Sequence, residues 1–130
     1  MEIGIDFDGT CVTHEYPRVG KDIGAVPILK ELVLNGHKLM LWTMRGNKPG
    51  NSTLDDAVNW FKTNDIPLWG INENPDQKAT GWTNSNKQHA QIYIDDAALG
   101  CPLIYPKRGK PYVDWETVRK ILIEKLILNK

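Results

Sequence analysis

The chain has 130 residues, the length of one domain built around one buried core. Its 16 Lys and Arg balance 16 Asp and Glu, which argues against the basic excess of a nucleic-acid binder and against an acidic disordered tail. No apolar run approaches about eighteen residues, so no membrane span is expected.

The chain opens on a strand that already carries charge, so no secretory leader is expected. Cys11 and Cys101 lie far apart, match no metal-ligand spacing and read as free thiols of a reducing cytoplasm. Cys11 adjoins an acidic motif but has no base to activate it. The short basic run Lys107-Arg108-Gly109-Lys110 reads as a solvated turn.

Strand and helix signals alternate, the pattern of an α/β domain with a mainly parallel sheet. Glu2 to Phe7 reads as the first strand. Ala25 to Asn35 reads as a helix, with Pro27 in its first turn and Gly36 as its stop. Lys38 to Thr43 is a second strand. Thr53 can cap a helix whose Leu54, Ala57, Val58 and Phe61 share one face. Leu68 to Ile71 is a third strand, followed by a polar loop, Asn72 to Asn86, with room for one short helix. Gln91 to Ile94 is a fourth strand, and Leu103-Ile104 a brief fifth. Asp114 caps a last helix that runs towards Leu128 and packs Trp115, Val118, Ile121, Leu122 and Leu126 on the core. Its apolar band is widened by Ile123, Ile127 and Leu128, which leaves room for self-association beside simple burial. Trp60 and Trp82 fall outside clear core positions and are candidates for substrate stacking or a subunit contact.

Polar residues gather where these strands end. Asp6 and Asp8 close the first strand, two positions apart and so on one face, with Phe7 turned into the packing. Thr43 closes the second strand, and Asp95 and Asp96 the fourth. In a parallel sheet these carboxyl ends share one edge, where ligands of open α/β sheets bind. Like charges crowded there need a cation or a shared proton, which suits Mg²⁺ and phosphate chemistry.

These motifs and their order resemble the haloacid dehalogenase (HAD) superfamily of aspartate-nucleophile phosphohydrolases. The matching segments are Asp6-Phe7-Asp8-Gly9-Thr10, the strand ending in Thr43, a lysine upstream of the last acids, and Ile92-Tyr93-Ile94-Asp95-Asp96. The resemblance spans roughly residues 1 to 105. It implies a three-layer Rossmann-like domain over residues 1 to 130, with a flap region at 11 to 20 and a C-terminal helix at 114 to 128. It also implies Asp6 as nucleophile on phosphorus and Asp8 as general acid and base. Mg²⁺ would be held by Asp6, the Asp8 carbonyl and Asp95. Asp96, facing away if the strand continues, would support that metal group. Thr43 would hydrogen-bond a phosphoryl oxygen, and the lysine would offset charge on Asp6 and the phosphate. Lys87, eight residues before Asp95, is preferred over Lys78. An acid at position 8 favours phosphoryl transfer over dehalogenation, because a halide leaves without a proton.

The substrate-side candidates are Thr10, which would brace the turn, and Arg45, which would clamp a phosphate or carboxylate or else form a surface ion pair. Within the flap they are His14 and Arg18, beside Glu15 and Tyr16. The 32 residues between Thr10 and Thr43 hold only the flap and a crossover helix, and the next interval is filled by ordinary elements. No cap domain fits, so the site is expected to be open. The resulting expectation is a capless, Mg²⁺-dependent cytoplasmic phosphatase acting on a phosphomonoester of a small molecule. A homo-oligomer through the C-terminal helix is compatible with it; membrane and nucleic acid are not expected partners. The alternatives are a phosphatase for nucleic-acid ends or protein, and a non-catalytic phosphate- or Mg²⁺-binding module on the same fold.

Overall fold

The structure, a computed structural model, describes residues 1–130. In chain order its elements are β1 (Glu2–Ile5), α1 (Ala25–Leu34), β2 (Lys38–Leu41), β3 (Asn47–Lys48), β4 (Asn51–Ser52), α2 (Thr53–Thr63), β5 (Gly70–Ile71), α3 (Pro75–Thr80), β6 (Ile92–Ile94), β7 (Leu103–Ile104), β8 (Tyr112–Val113) and α4 (Trp115–Glu124). Strands β5, β2, β1 and β6, in that order, form a four-stranded parallel sheet. The architecture is α/β and consistent with a Rossmann-like fold. No helix is long and apolar enough to cross a membrane.

Side-chain alternation gives the sheet two unlike faces. Ile3, Ile5, Leu39, Leu41 and Ile94 join Phe7 and the apolar faces of α1, α2 and α4 in a core of 21 buried residues. The opposite face is thinly covered. Gly4 lies beneath Gln88 and Tyr93, and Gly70 beneath Glu73 and Pro75, so the polar segment around α3 supplies that layer. Bulk at Gly4 would strike Gln88 and Tyr93 at 3.0 Å, which is why the strand carries glycine there.

Several expected elements are shorter or differently placed. The first strand is regular only to Ile5, though Asp6 continues the ladder by donating its N–H to Ile94 O at 3.0 Å. The first helix closes at Leu34 with Asn35 as its C-cap, and the N-cap of α2 is Ser52 rather than Thr53. Leu103-Ile104 does form a strand, but it pairs antiparallel with Tyr112–Val113 instead of extending the central sheet. A two-stranded hairpin, β3–β4, lies between Thr43 and α2, where no strand signal marks the sequence. The last helix ends at Glu124 because Leu126 adopts φ 62. That turn exposes Leu126, expected in the core, and swings Ile127 and Leu128 inward instead. Trp60 is no outlier: it meets Phe61 and Phe7 edge-on, with ring centroids 5.0 and 5.7 Å away. Trp82 is exposed and edges onto His89.

Candidate functional site

The first acid owes its position to the end of β1. Phe7 drops into the core, and Gly9, at φ 79, turns the chain back so that Thr10, Cys11 and Val12 N–H groups reach the Phe7 carbonyl. A Cβ on Gly9 would collide with His14 Nε2 and lie 2.6 Å from Asp96 Oδ2, so glycine meets a space limit as well as a backbone one.

Asp6, Asp95 and Asp96 converge: one carboxylate oxygen from each lies within 4.8 Å of the others. Thr10 is fully buried between them. Its hydroxyl lies 2.8 Å from Asp6 Oδ2 and 3.2 Å from Asp96 Oδ1, and it accepts the Asp96 N–H at 3.0 Å. Thr10, a substrate-side candidate by sequence, is therefore shut off from any ligand and acts as an internal brace. Asp96 is expected to face away only if the strand continues past Asp95. Because the strand stops at Ile94 and Asp95 opens a turn, its carboxylate instead faces Asp6 and receives His14 Nε2 at 3.0 Å.

Burial is the largest influence on Asp6, and its contact with Asp96 and the charge of Asp95 add to it. Together they push its carboxyl up to about 8 from an ordinary 3.8, against the opposing hydrogen bonds from Thr10 and the Phe7 backbone. Such a set of hard oxygens, crowded and partly deprived of water, fits a divalent cation. Burial also raises the Cys11 thiol well above its usual range, and its Sγ rests on Asp6 O at 3.4 Å, so it is no nucleophile.

Two cavities meet at Asp6 and Asp95. One, of about 480 Å³, is also lined by Asp8, His14, Thr43 and Arg45, with Tyr16 and the fully exposed Met44 at its mouth. The other, of about 310 Å³, holds Lys87, Trp42 and Tyr93 on the Gly4 face of the sheet. Lys87 Nζ lies 5.6 Å from the Tyr93 ring centroid. Lys78 lines a polar groove beside α3, which Lys87 also borders, and pairs with Glu73 at 3.1 Å. Of the two lysines, Lys87 is the one beside the acids.

Asp8 shares the larger cavity with Asp6, but its carboxylate does not join the other three acids. Both of its oxygens are taken by Arg45, at 2.7 and 2.8 Å. The sequence assigns the Asp8 backbone carbonyl, not its side chain, to the metal group, and that side chain is committed to Arg45. Arg45 is neither a surface ion pair nor a free clamp: it is buried, with its guanidinium between Phe7 and Tyr16. Arg18 points to solvent and pairs loosely with Glu15 at 3.6 Å; the part of it that reaches the site is its carbonyl, which accepts from Arg45.

Thr43 accepts the Arg45 N–H on its hydroxyl at 3.2 Å and gives its own N–H to Asn72 Oδ1 at 2.8 Å. Its hydroxyl donates to no other residue of the chain. Asn72 joins the site as a polar residue just beyond the third strand, the same signal that marks Thr43 and Asp95. It takes φ 55, a backbone region that asparagine tolerates.

No family model and no curated protein matches the chain. A solved structure, that of the conserved protein coded by a locus of Bacteroides thetaiotaomicron, is 34% identical to it. The match covers 96% of this chain and 91% of that one, with a TM-score of 0.75. The chain belongs to the same family as that conserved protein.

Proposed function

We propose that this chain is a capless HAD-type phosphatase, a Mg²⁺-dependent phosphohydrolase of the cytoplasm that cleaves a small-molecule phosphomonoester through an aspartyl-phosphate. The observation that carries this reading is the gathering of Asp6, Asp95 and Asp96 within 4.8 Å, beside cavities lined by Asp8, Thr43 and Lys87. Asp6 and Asp95, with Asp96 alongside, would hold the ion. Bound there, it supplies positive charge that offsets the crowded carboxylates and the incoming phosphate.

An Asp6 oxygen attacks phosphorus as the bond to the leaving oxygen breaks, and Asp8 gives that oxygen a proton. Water then attacks phosphorus, Asp8 takes the proton, and the Asp6 carboxylate departs with inorganic phosphate released. Thr43 O–H and Lys87 N–H groups hold the phosphoryl oxygens while charge builds on them. Hydrolysis of p-nitrophenyl phosphate that needs Mg²⁺ and is lost in Asp6→Asn and Asp8→Asn is the supporting result.

One observation favours a second reading, a phosphate- or Mg²⁺-binding module without turnover: both Asp8 oxygens are occupied by Arg45. Binding of a phosphate analogue with Mg²⁺, and no hydrolysis across a panel of phosphoesters, is the result that selects it.

A further inference from the structure

Arg45 spends every donor that it has. A guanidinium carries five N–H groups in a fixed planar fork. Nε donates to Asp8 Oδ2 at 2.8 Å. Nη2 donates to Asp8 Oδ1 at 2.7 Å and to Arg18 O at 2.8 Å. Nη1 donates to Pro17 O at 3.2 Å and to Thr53 O at 3.1 Å. The side chain is only 1% exposed. One buried group therefore joins three segments: the acid of the first motif, the flap at Pro17 and Arg18, and the start of α2.

We infer that Arg45 is a positioning residue that locks the flap to Asp8, so that the place of the flap fixes the direction in which the Asp8 carboxylate faces. The inference rests on the reading of Asp8 as acid and base. Withdrawing the flap removes two of the five acceptors of Arg45 and leaves buried N–H groups without partners, which a buried site resists. Asp8 cannot turn towards a leaving oxygen without releasing at least one arm of the same fork. Flap position and proton delivery are thereby one event rather than two. Lysine at this position keeps the charge but not the planar fork, and cannot serve Asp8 and three carbonyls together.

The test uses the full chain and two variants, R45K and D8N, followed by amide hydrogen exchange and by turnover. Exchange is read over residues 12–20, where Thr13 N–H bonds Lys21 O and Arg18 N–H bonds Glu15 O, with α4 as the internal measure of folding. Both variants should exchange at least tenfold faster in the flap and at the wild-type rate in α4. In R45K, turnover of β-glycerol phosphate with Mg²⁺ should fall at least tenfold further than that of p-nitrophenyl phosphate, because an alkoxide needs the Asp8 proton and a nitrophenolate does not. Should R45K fail to fold, flap exchange in D8N decides alone. An unmoved flap in a folded variant overturns the inference, as do equal losses on the two esters. If the flap loosens in both variants while the wild type hydrolyses neither ester, the lock stands and the phosphatase reading falls.

Discussion

Trp115 donates its indole N–H to the Thr10 carbonyl at 2.7 Å, joining residues 105 positions apart. The last helix is thus bolted directly to the turn that aims Asp6. The bond from Val113 N–H to Gly9 O, at 3.0 Å, fixes the same turn from a second point. Truncating Trp115 to Phe strips a buried carbonyl of its partner, which costs about 1–3 kcal/mol, and the space left by the smaller ring adds to that loss. Urea unfolding should show a lower midpoint with an unchanged slope. An unchanged midpoint would mean that this contact carries no stability.

Asp6 ties stability to pH. With a folded value of about 8 against an ordinary 3.8, Asp6 keeps its proton in the native state after the unfolded chain has lost it. Its contribution is whole below about pH 4, shrinks as pH rises, and is gone above about pH 8. In EDTA, the wild type should lose stability over that interval, while Asp6→Asn should show a flatter profile. At pH 8 the variant should be the more stable of the two by about 1–3 kcal/mol. Added Mg²⁺ should stabilise the wild type and do little for the variant. Thermal melts at pH 5 and pH 8 check both halves; parallel profiles would remove Asp6 as the source.

Gly9 and Gly36 separate crowding from backbone strain. Both have positive φ, 79 and 88, but only a Cβ at Gly9 meets His14 and Asp96; nothing lies within 4 Å of one at Gly36. Gly36→Ala should cost roughly 1 kcal/mol, the strain alone. Gly9→Ala should cost clearly more, with His14 displaced from Asp96. Equal melting losses in the two variants would show that the turn yields without disturbing the acids.

The acids at the strand ends were legible because alternation and strand polarity are local rules. Asp6, Asp8, Thr43 and Asp95 could be placed on one edge without any tertiary knowledge. Asp96 was misdirected by one residue of strand length, since a period of two reverses a side chain whenever the strand stops early. Arg45 was opaque for another reason. Three of its acceptors are backbone carbonyls of Pro17, Arg18 and Thr53, which no residue type announces. The same holds for the fifth strand, whose residues were plain but whose partner, Tyr112–Val113, is chosen by packing. Leu126 fails as a core residue because helix periodicity does not tell where a helix ends.

The two lysines give the sharpest functional contrast. Both lysines are exposed, but Lys87 shares a cavity with Asp6 and Asp95, whereas Lys78 is already paired with Glu73. An exposed pair of that kind contributes about 0–1 kcal/mol. A lysine beside the phosphoryl group acts where charge grows, and removing one such donor typically costs about 10²–10³-fold in turnover. Lys87→Met should therefore lower kcat for p-nitrophenyl phosphate by at least a hundredfold. Lys78→Met should change it less than twofold, with both proteins melting near the wild type. Steady-state kinetics with saturating Mg²⁺ checks this. Comparable rates for the two variants would detach Lys87 from the chemistry, leaving Thr43 as the remaining side-chain donor named for the phosphoryl oxygens.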